Sequence, residues 1–290
     1  MPDDRVLLAL GGGAARGLAH IGVLRGLEED GIEVIGIAGT SMGSIVGAMA
    51  ASGVGADEIE GVFRGVDWQT LGRIMLRSVV GEAFHDLLRE TLGEGVIESL
   101  KIPFAAVCCD LDTGEEVVLR EGSIADAVRA SSAIPGILTP IRIGNRTLVD
   151  GAVVEPVPLT AARGLGTGSL VAVNVLRPPP SGQRTTLIHA MPHPRGVSST
   201  VLARIDRWLS RHAAEDRPAD DDLPGRWEAV MRSFHIMQYR LAASICEPVQ
   251  MIEPDVGRFG WFDFPRVRGI VDEGYHAYRR WRRKGPRPAK

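Results

Sequence analysis

The sequence predicts an α/β fold with a mainly parallel sheet. Three observations carry that prediction: short apolar runs that end in glycine, a helix pattern directly after each run, and connections of only a few residues between them. Residues 5–10 form the first run, which suits a strand buried on both faces. Residues 17–30 then place Leu18, Ile21, Leu24 and Leu27 three apart, the pattern of an amphipathic helix, and Gly31 stops it. Residues 33–38 repeat the strand pattern, and residues 43–51 form a second helix rich in small side chains.

Further along, residues 57–64, 68–79 and 82–92 read as helices. Residues 104–110 are an apolar strand, Thr113-Gly114 a turn, and residues 115–120 its return strand. Residues 123–131 begin with a capping serine, Ser123, and stay helical until Pro135 approaches. An Ile143-Gly144-Asn145 turn leads into Leu148-Val149-Asp150, and residues 170–175 form another buried strand. Residues 177–225 differ in character. They open with Pro178-Pro179-Pro180, include His193-Pro194, and hold five acids between Glu215 and Asp222. This stretch is read as a mobile insertion with a helix near 201–212. A long helix over 227–245, a last strand over 249–252 and a closing helix over 264–283 follow. The expectation is one domain over 1–290 that carries this insertion and a basic tail over 279–290.

Composition narrows the partners. With 33 Lys and Arg against 36 Asp and Glu, the net charge of −3 supplies no global field for nucleic acid. Cys108 and Cys109 are adjacent in an apolar run, where a mutual disulfide would be strained. They and Cys246 are read as reduced core thiols of a cytoplasmic protein, and no metal-ligand spacing is present. The N-terminus opens with two acids and lacks the pattern of a signal peptide. Residues 34–56 carry no formal charge, long enough on paper to span a bilayer. Their six glycines and four hydroxyl side chains make a poor span, and a buried strand, turn and helix explain the stretch better.

The chemistry concentrates in two glycine-rich turns. Gly39-Thr40-Ser41-Met42-Gly43 is a G-x-S-x-G match, a weak signal by itself but here placed between an apolar strand and a helix. That is the setting of a nucleophile elbow, with glycines where side chains would strike neighbouring strand and helix, and a helix N-terminus beside the serine. A glycine-rich turn with a capping serine is the plain alternative. The loop Gly11-Gly12-Gly13-Ala14-Ala15-Arg16-Gly17 also lies between strand and helix, and its bare N–H groups can hold an anion. For a dinucleotide the acid Glu33 lies at the wrong end of its strand, and for a nucleotide P-loop the lysine is missing. An oxyanion hole fits best, because parallel strands would bring this loop and Ser41 to one edge of the sheet.

A serine nucleophile needs a base, and none of the seven histidines has a convincing position. His20 is expected to pack behind the loop. His189 and His193 fall in the insertion, and the others lie in predicted helices. A carboxylate acting directly on the serine becomes the candidate, and Asp150, ending an apolar strand before Gly151-Ala152, stands out. Asp-Gly is also a common turn.

Taken together, GGGAARGLAHIGVL, GTSMGS, RASSAIPGIL and VDGAVVEPVPL resemble the patatin-like phospholipase family, most closely its small bacterial single-domain members. The similarity runs from about Val6 to Val175 and resumes in MIEPDVGRFGWFDFPRVRGIVDEGY. It implies a three-layer α/β/α architecture and a Ser–Asp dyad, with Ser41 as nucleophile and Asp150 as base. It implies an oxyanion hole from the amides of Gly11 to Ala14, chiefly Gly12, Gly13 and Ala14. Arg16 would steady the loop or meet an anionic head group, and residues 132–136, Pro135 among them, would shape the wall. Gly17, Gly39, Met42, Gly43 and Gly151 would support these turns.

The implied activity is serine lipid acyl hydrolysis of the phospholipase A or esterase type, through an acyl-enzyme, with no metal or organic cofactor and a fatty-acyl ester as substrate. Acyl transfer to another alcohol would share the acyl-enzyme. A regulatory or scaffold module that retains the fold is the alternative class. Two departures stand out: Ala14 where the family has glycine, a cost if that position needs positive φ, and Glu155 where asparagine is common. Finally, seven cations and no acid in the last twelve residues, with Trp281 among them, suit peripheral contact with an anionic membrane surface at the inner face, and a solvated helix end with a frayed tail is the equal alternative.

Overall fold

The computed structural model describes residues 5–68, 86, 88–178, 226–246 and 249–285. The predicted helix over 201–212, all of the one over 68–79 except Trp68, and residues 82–85 and 87 of the one over 82–92 lie outside these residues, as does nearly all of the predicted insertion.

The sheet is mixed, with a parallel centre. β1 (Arg5–Leu10) lies between β2 (Glu33–Thr40) and β7 (Ser169–Val173), parallel to both. β3 (Phe104–Asp110) continues the parallel set beyond β2, and β8 (Gln250–Ile252) continues it beyond β7. Three short strands are added around β3. β4 (Glu116–Leu119) is the antiparallel return strand, and β5 (Ile141–Ile143) with β6 (Arg146–Asp150) forms a hairpin that reaches β3 through β6.

Both faces of the sheet are covered, and the alternation along β1 shows it. Val6, Leu8 and Leu10 join the larger core cluster with α1 (Ala19–Glu29), α2 (Met42–Ala51), α3 (Ala56–Gly65) and α7 (Val267–Lys284). Leu7 and Ala9 point the other way, into a cluster with α5 (Leu159–Arg163) and Ala242 of α6 (Arg226–Ala243). A parallel strand with apolar side chains on both faces requires this double cover, and the result is a three-layer α/β/α architecture. α4 (Ile124–Ser131) begins as expected, with the Ser123 side chain accepting the Asp126 N–H.

Boundaries moved where turns tighten. The predicted helix over 17–30 opens as a 3-10 segment, Ala14–Leu18, before α1 begins. The closing helix likewise has a 3-10 lead, Phe264–Arg266, with Pro265 in its first turn. The expectation of three core thiols fails for Cys246, which is exposed, whereas Cys108 and Cys109 are buried; all three are free. The uncharged stretch over 34–56 is occupied by β2, the Ser41 turn and α2. Among the described residues no helix is long and apolar enough to cross a membrane.

α1 and α7 pack backbone to backbone. A Cβ at Gly22 would collide with the Val271 carbonyl, and one at Gly274 with the carbonyl of Ala19. At the end of α1, Asp30 accepts from Tyr278 (2.7 Å), Arg282 (2.9 Å) and Arg279 (3.2 Å). Because neither backbone can retreat without opening the core, Gly22→Ala is expected to cost about 2 kcal/mol. Chemical denaturation should show a lower midpoint at unchanged slope.

Candidate active site

The position of the site follows from the register around β3. Ala106 and Val107 pair with Gly39 and Thr40 of β2 on one edge and with β4 on the other. One residue further, Cys108 pairs with Val117 of β4 and with Asp150 of β6. A strand has only two edges, and β4 holds one throughout, so β2 and β6 share the other. They approach from opposite directions and end against each other, with Thr40 opposite Val107 and Asp150 opposite Cys108. Each chain must leave the sheet there. Ser41 and Asp150 are the residues at which they turn.

β2 turns through Ser41, whose φ of 55° and ψ of −124° are strained for a residue with a Cβ. α2 starts at Met42, and its N-terminus lies so close to β1 that a Cβ at Gly43 would strike the Leu10 carbonyl. One at Gly39 would strike the Gly43 carbonyl. The strained turn is held by Ser131, which accepts the Ser41 N–H at 3.0 Å and donates to the Val107 carbonyl at 2.7 Å. The next residue on the other side of the junction, Gly151, has no room for a side chain against the Val107 carbonyl.

Asp150 is 1 % exposed and Ser41 5 %. Asp150 Oδ1 accepts the Ala152 N–H at 2.9 Å, while Oδ2 is buried with no hydrogen-bond partner among the described residues. Burial disfavours the carboxylate and raises its pKa to about 7; the Ser41 hydroxyl beside it and the Ala152 N–H pull the other way and only partly offset this. The acid is therefore poised where general bases work.

The glycine loop faces the same junction. A Cβ at Gly12 would lie 3.3 Å from that of Ser41 and 3.2 Å from that of Ala152. The expected donor set needs correction: the Gly11 N–H donates to Val173 O (3.1 Å) and the Gly12 N–H to Pro156 O (2.9 Å), so neither is available to an oxyanion. The amides of Gly13, Ala14 and Met42 make no hydrogen bond among the described residues. Ala14 has φ 49°, the left-handed region where its Cβ is unfavourable. His20 packs behind the loop, its Nε2–H donating to the Gly11 carbonyl at 2.7 Å; burial lowers its pKa to about 4, so it is neutral.

Arg16 is buried. Its Nε donates to Phe259 O at 2.7 Å and its Nη1 lies 3.3 Å from His235 Nε2, with burial lowering its pKa to about 10. These contacts, with the Ala15 N–H on Trp261 O, tie the loop to the chain ahead of α7. An apolar cavity opens from Ser41 and Ala14 along the Met42, Ile45 and Met49 face of α2, walled by Phe63, Trp68, Leu138 and Phe264. Ser132 and Ile134 line it, but Pro135 does not; it is half-buried outside the cavity. Glu155 accepts the Thr160 N–H at 3.0 Å, and burial beside Glu116 pushes its carboxyl pKa up.

The patatin-like phospholipase family model matches residues 8–163, which contain the elbow, the glycine loop and Asp150. The chain belongs to the patatin-like phospholipase family. It is 38% identical over 179 residues to an uncharacterized NTE family protein of Mycobacterium tuberculosis, covering 60% of this chain and 49% of that protein. It is 27% identical over 288 residues to human patatin-like phospholipase domain-containing protein 6, covering 95% of this chain and 20% of that one. The chain thus spans half or less of the length of these curated relatives. Among solved structures, VipD from Legionella pneumophila aligns with 12% identity and a TM-score of 0.48, over 97% of this chain and 66% of that one.

Within this patatin-like chain, sequence reasoning missed Ser131 and His235. Ser131 stands next to Ser132 in the same motif, and only the register at Val107 separates their roles. His235 is 219 residues from the arginine it meets.

Two outcomes follow. Ala14→Gly removes a strained Cβ at the cost of a freer unfolded chain, and a net gain of about 0.5–1 kcal/mol is expected in denaturation. Asp150 has a folded pKa above its unfolded value near 3.9, so its protonated form stabilises the fold at low pH, and that contribution is lost as pH rises through about 7. Asp150→Asn, which mimics the neutral acid, should match the parent in stability below about pH 4 and exceed it by a margin that grows to about 4 kcal/mol near pH 7 and levels off above it.

Proposed function

We propose that this chain is a serine lipid acyl hydrolase that uses a Ser41–Asp150 dyad. The observation that carries the reading is the junction itself. A strained serine at a helix N-terminus abuts a buried carboxyl with an unpartnered oxygen and a pKa near neutrality, at the mouth of an apolar cavity.

In this mechanism Asp150 takes the Ser41 proton as Ser41 Oγ attacks the acyl carbonyl carbon. The carbonyl π electrons move onto oxygen, and the free N–H groups of Gly13 and Ala14, with that of Met42, receive the negative charge. A donor of this kind is typically worth about 3–4 kcal/mol. The tetrahedral species collapses, the carbon–oxygen bond to the leaving alcohol breaks, and Asp150 returns its proton to that alcohol. Water then attacks the acyl-Ser41 ester while Asp150 accepts its proton. Collapse releases the fatty acid, and the proton goes back to Ser41. The acyl chain lies in the cavity along α2. Arg16 is already engaged by Phe259 and His235, which supports a loop-steadying role over contact with a head group.

The test is fluorophosphonate labelling with the adduct located by mass spectrometry, alongside hydrolysis of a fatty-acyl ester series. Labelling is expected at Ser41 and lost in Ser41→Ala, with turnover reduced at least about a thousandfold in Asp150→Asn. Because the base must be ionised, kcat/KM should rise with pH through about 7. Full turnover by Asp150→Asn removes it as the base, and absent labelling of folded protein supports the binding-module alternative.

A further inference from the structure

A second groove lies at the C-terminal end of α7. Of the five cations near the C-terminus of this helix, Arg283 donates to the Arg279 carbonyl at 3.2 Å and the other four fall into two sets. Arg279 and Arg282 are held by Asp30, the C-cap of α1, together with the Tyr278 hydroxyl. Arg280 and Lys284 make no ion pair among the described residues, and both line a groove of about 370 Å3 between α7 and β8. Trp281 stands between them in sequence and forms part of the same wall. The opposite wall is the edge strand: Gln250, Met251 and Ile252, flanked by Val249 and Glu253.

Several features distinguish this groove from a solvated helix end, although Arg280 and Lys284 are themselves exposed. Trp281 packs on the core and its ring lies 5.6 Å from that of Tyr278, so the Asp30 anchor fixes the helix face that carries the groove. Arg280 and Lys284 are one turn apart, about 6 Å along the axis, close enough to act on one group. The Gln250 side-chain oxygen is buried without a partner. Rotation of that carboxamide by a half-turn would present its NH2 instead. The acid at the rim, Glu253, is already paired with Arg177 at 3.2 Å. The last twelve residues carry seven positive charges and no acid, against a negative remainder of the chain.

We propose that this groove binds a phosphomonoester, with Arg280 and Lys284 on the phosphate oxygens, Gln250 as a further donor, and Trp281 against the attached carbon skeleton. Two cations one turn apart match a group carrying close to two negative charges at neutral pH, and the indole supplies the apolar face that a bare inorganic ion would leave unused. The chemistry is shared by a lipid head group such as phosphatidic acid and by a soluble ester such as glycerol 3-phosphate. The site is separate from the Ser41 cavity and does not depend on the hydrolase reading.

Truncation of residues 279–290 is a poor probe, since it removes the Asp30 anchor as well. The test uses Ser41→Ala as background so that lipids survive, and compares Arg280→Glu/Lys284→Glu with the control pair Arg142→Glu/Arg268→Glu, which changes net charge equally at exposed positions away from the groove. Binding is measured to phosphatidylcholine vesicles with and without phosphatidic acid, to vesicles of matched charge made with phosphatidylglycerol, and to glycerol 3-phosphate by titration calorimetry. The expected result is binding that requires the phosphomonoester and falls about tenfold or more in the groove pair but not in the control. Binding to vesicles alone identifies the lipid as source, and binding to glycerol 3-phosphate alone identifies a soluble ester. Equal binding to phosphatidylglycerol, equal losses in both pairs, or no binding in any arm would overturn the proposal.

Discussion

One edge of β3 carries two strands that arrive from opposite directions, and the site depends on that shared edge. β2 occupies it as far as Val107 and β6 from Cys108 onward. With no room to continue, both chains turn away, and the residues at their turns are forced into contact although 109 positions separate them in sequence. Backbone pairing thus sets the spacing of Ser41 and Asp150, and Ser131 fixes one side of the junction through the Ser41 N–H and the Val107 carbonyl.

In the proposed mechanism, that arrangement lets a carboxylate stand where a histidine is more familiar. An exposed aspartate is too weak a base at neutral pH. Enclosing Asp150 raises its pKa to about 7, the Ser41 hydroxyl and the Ala152 N–H offsetting only part of the rise, at some expense of stability once it ionises. The one imidazole packed behind the glycine loop, His20, is driven by the same burial in the opposite direction and stays neutral, its proton committed to the Gly11 carbonyl. Desolvation raises the carboxyl pKa and lowers the imidazole pKa within one small volume.

The C-terminal segment completes the loop that faces this junction. Arg16 reaches the Phe259 carbonyl and His235, and the Ala15 amide reaches Trp261, so the glycine loop is braced by chain that lies beyond the region matched to the family. α7 then presses on α1 through glycines on both helices. Near its C-terminus, Arg279 and Arg282 anchor at Asp30 while Arg280 and Lys284 line a groove against β8, one helix serving packing on one side and presenting charge on the other.

The sequence by itself determined the layer order and the identity of the turns. Apolar runs with side chains destined for both faces require helices above and below, and glycine can be recognised wherever a turn leaves no space for a Cβ. Ser41 and Asp150 were legible because each ends an apolar run at such a turn. Tertiary structure alone decided which loop amides are free, since Gly11 and Gly12 look no different from Gly13 until Val173 and Pro156 offer their carbonyls. It likewise decided that Arg16 turns inward to Phe259 and His235, that Ser131 rather than Ser132 holds the elbow, and that the basic end of α7 divides into paired and unpaired cations. Local pattern records what a residue can do. Hydrogen-bond partners and desolvation come from segments far away in the chain, and they determine what it does.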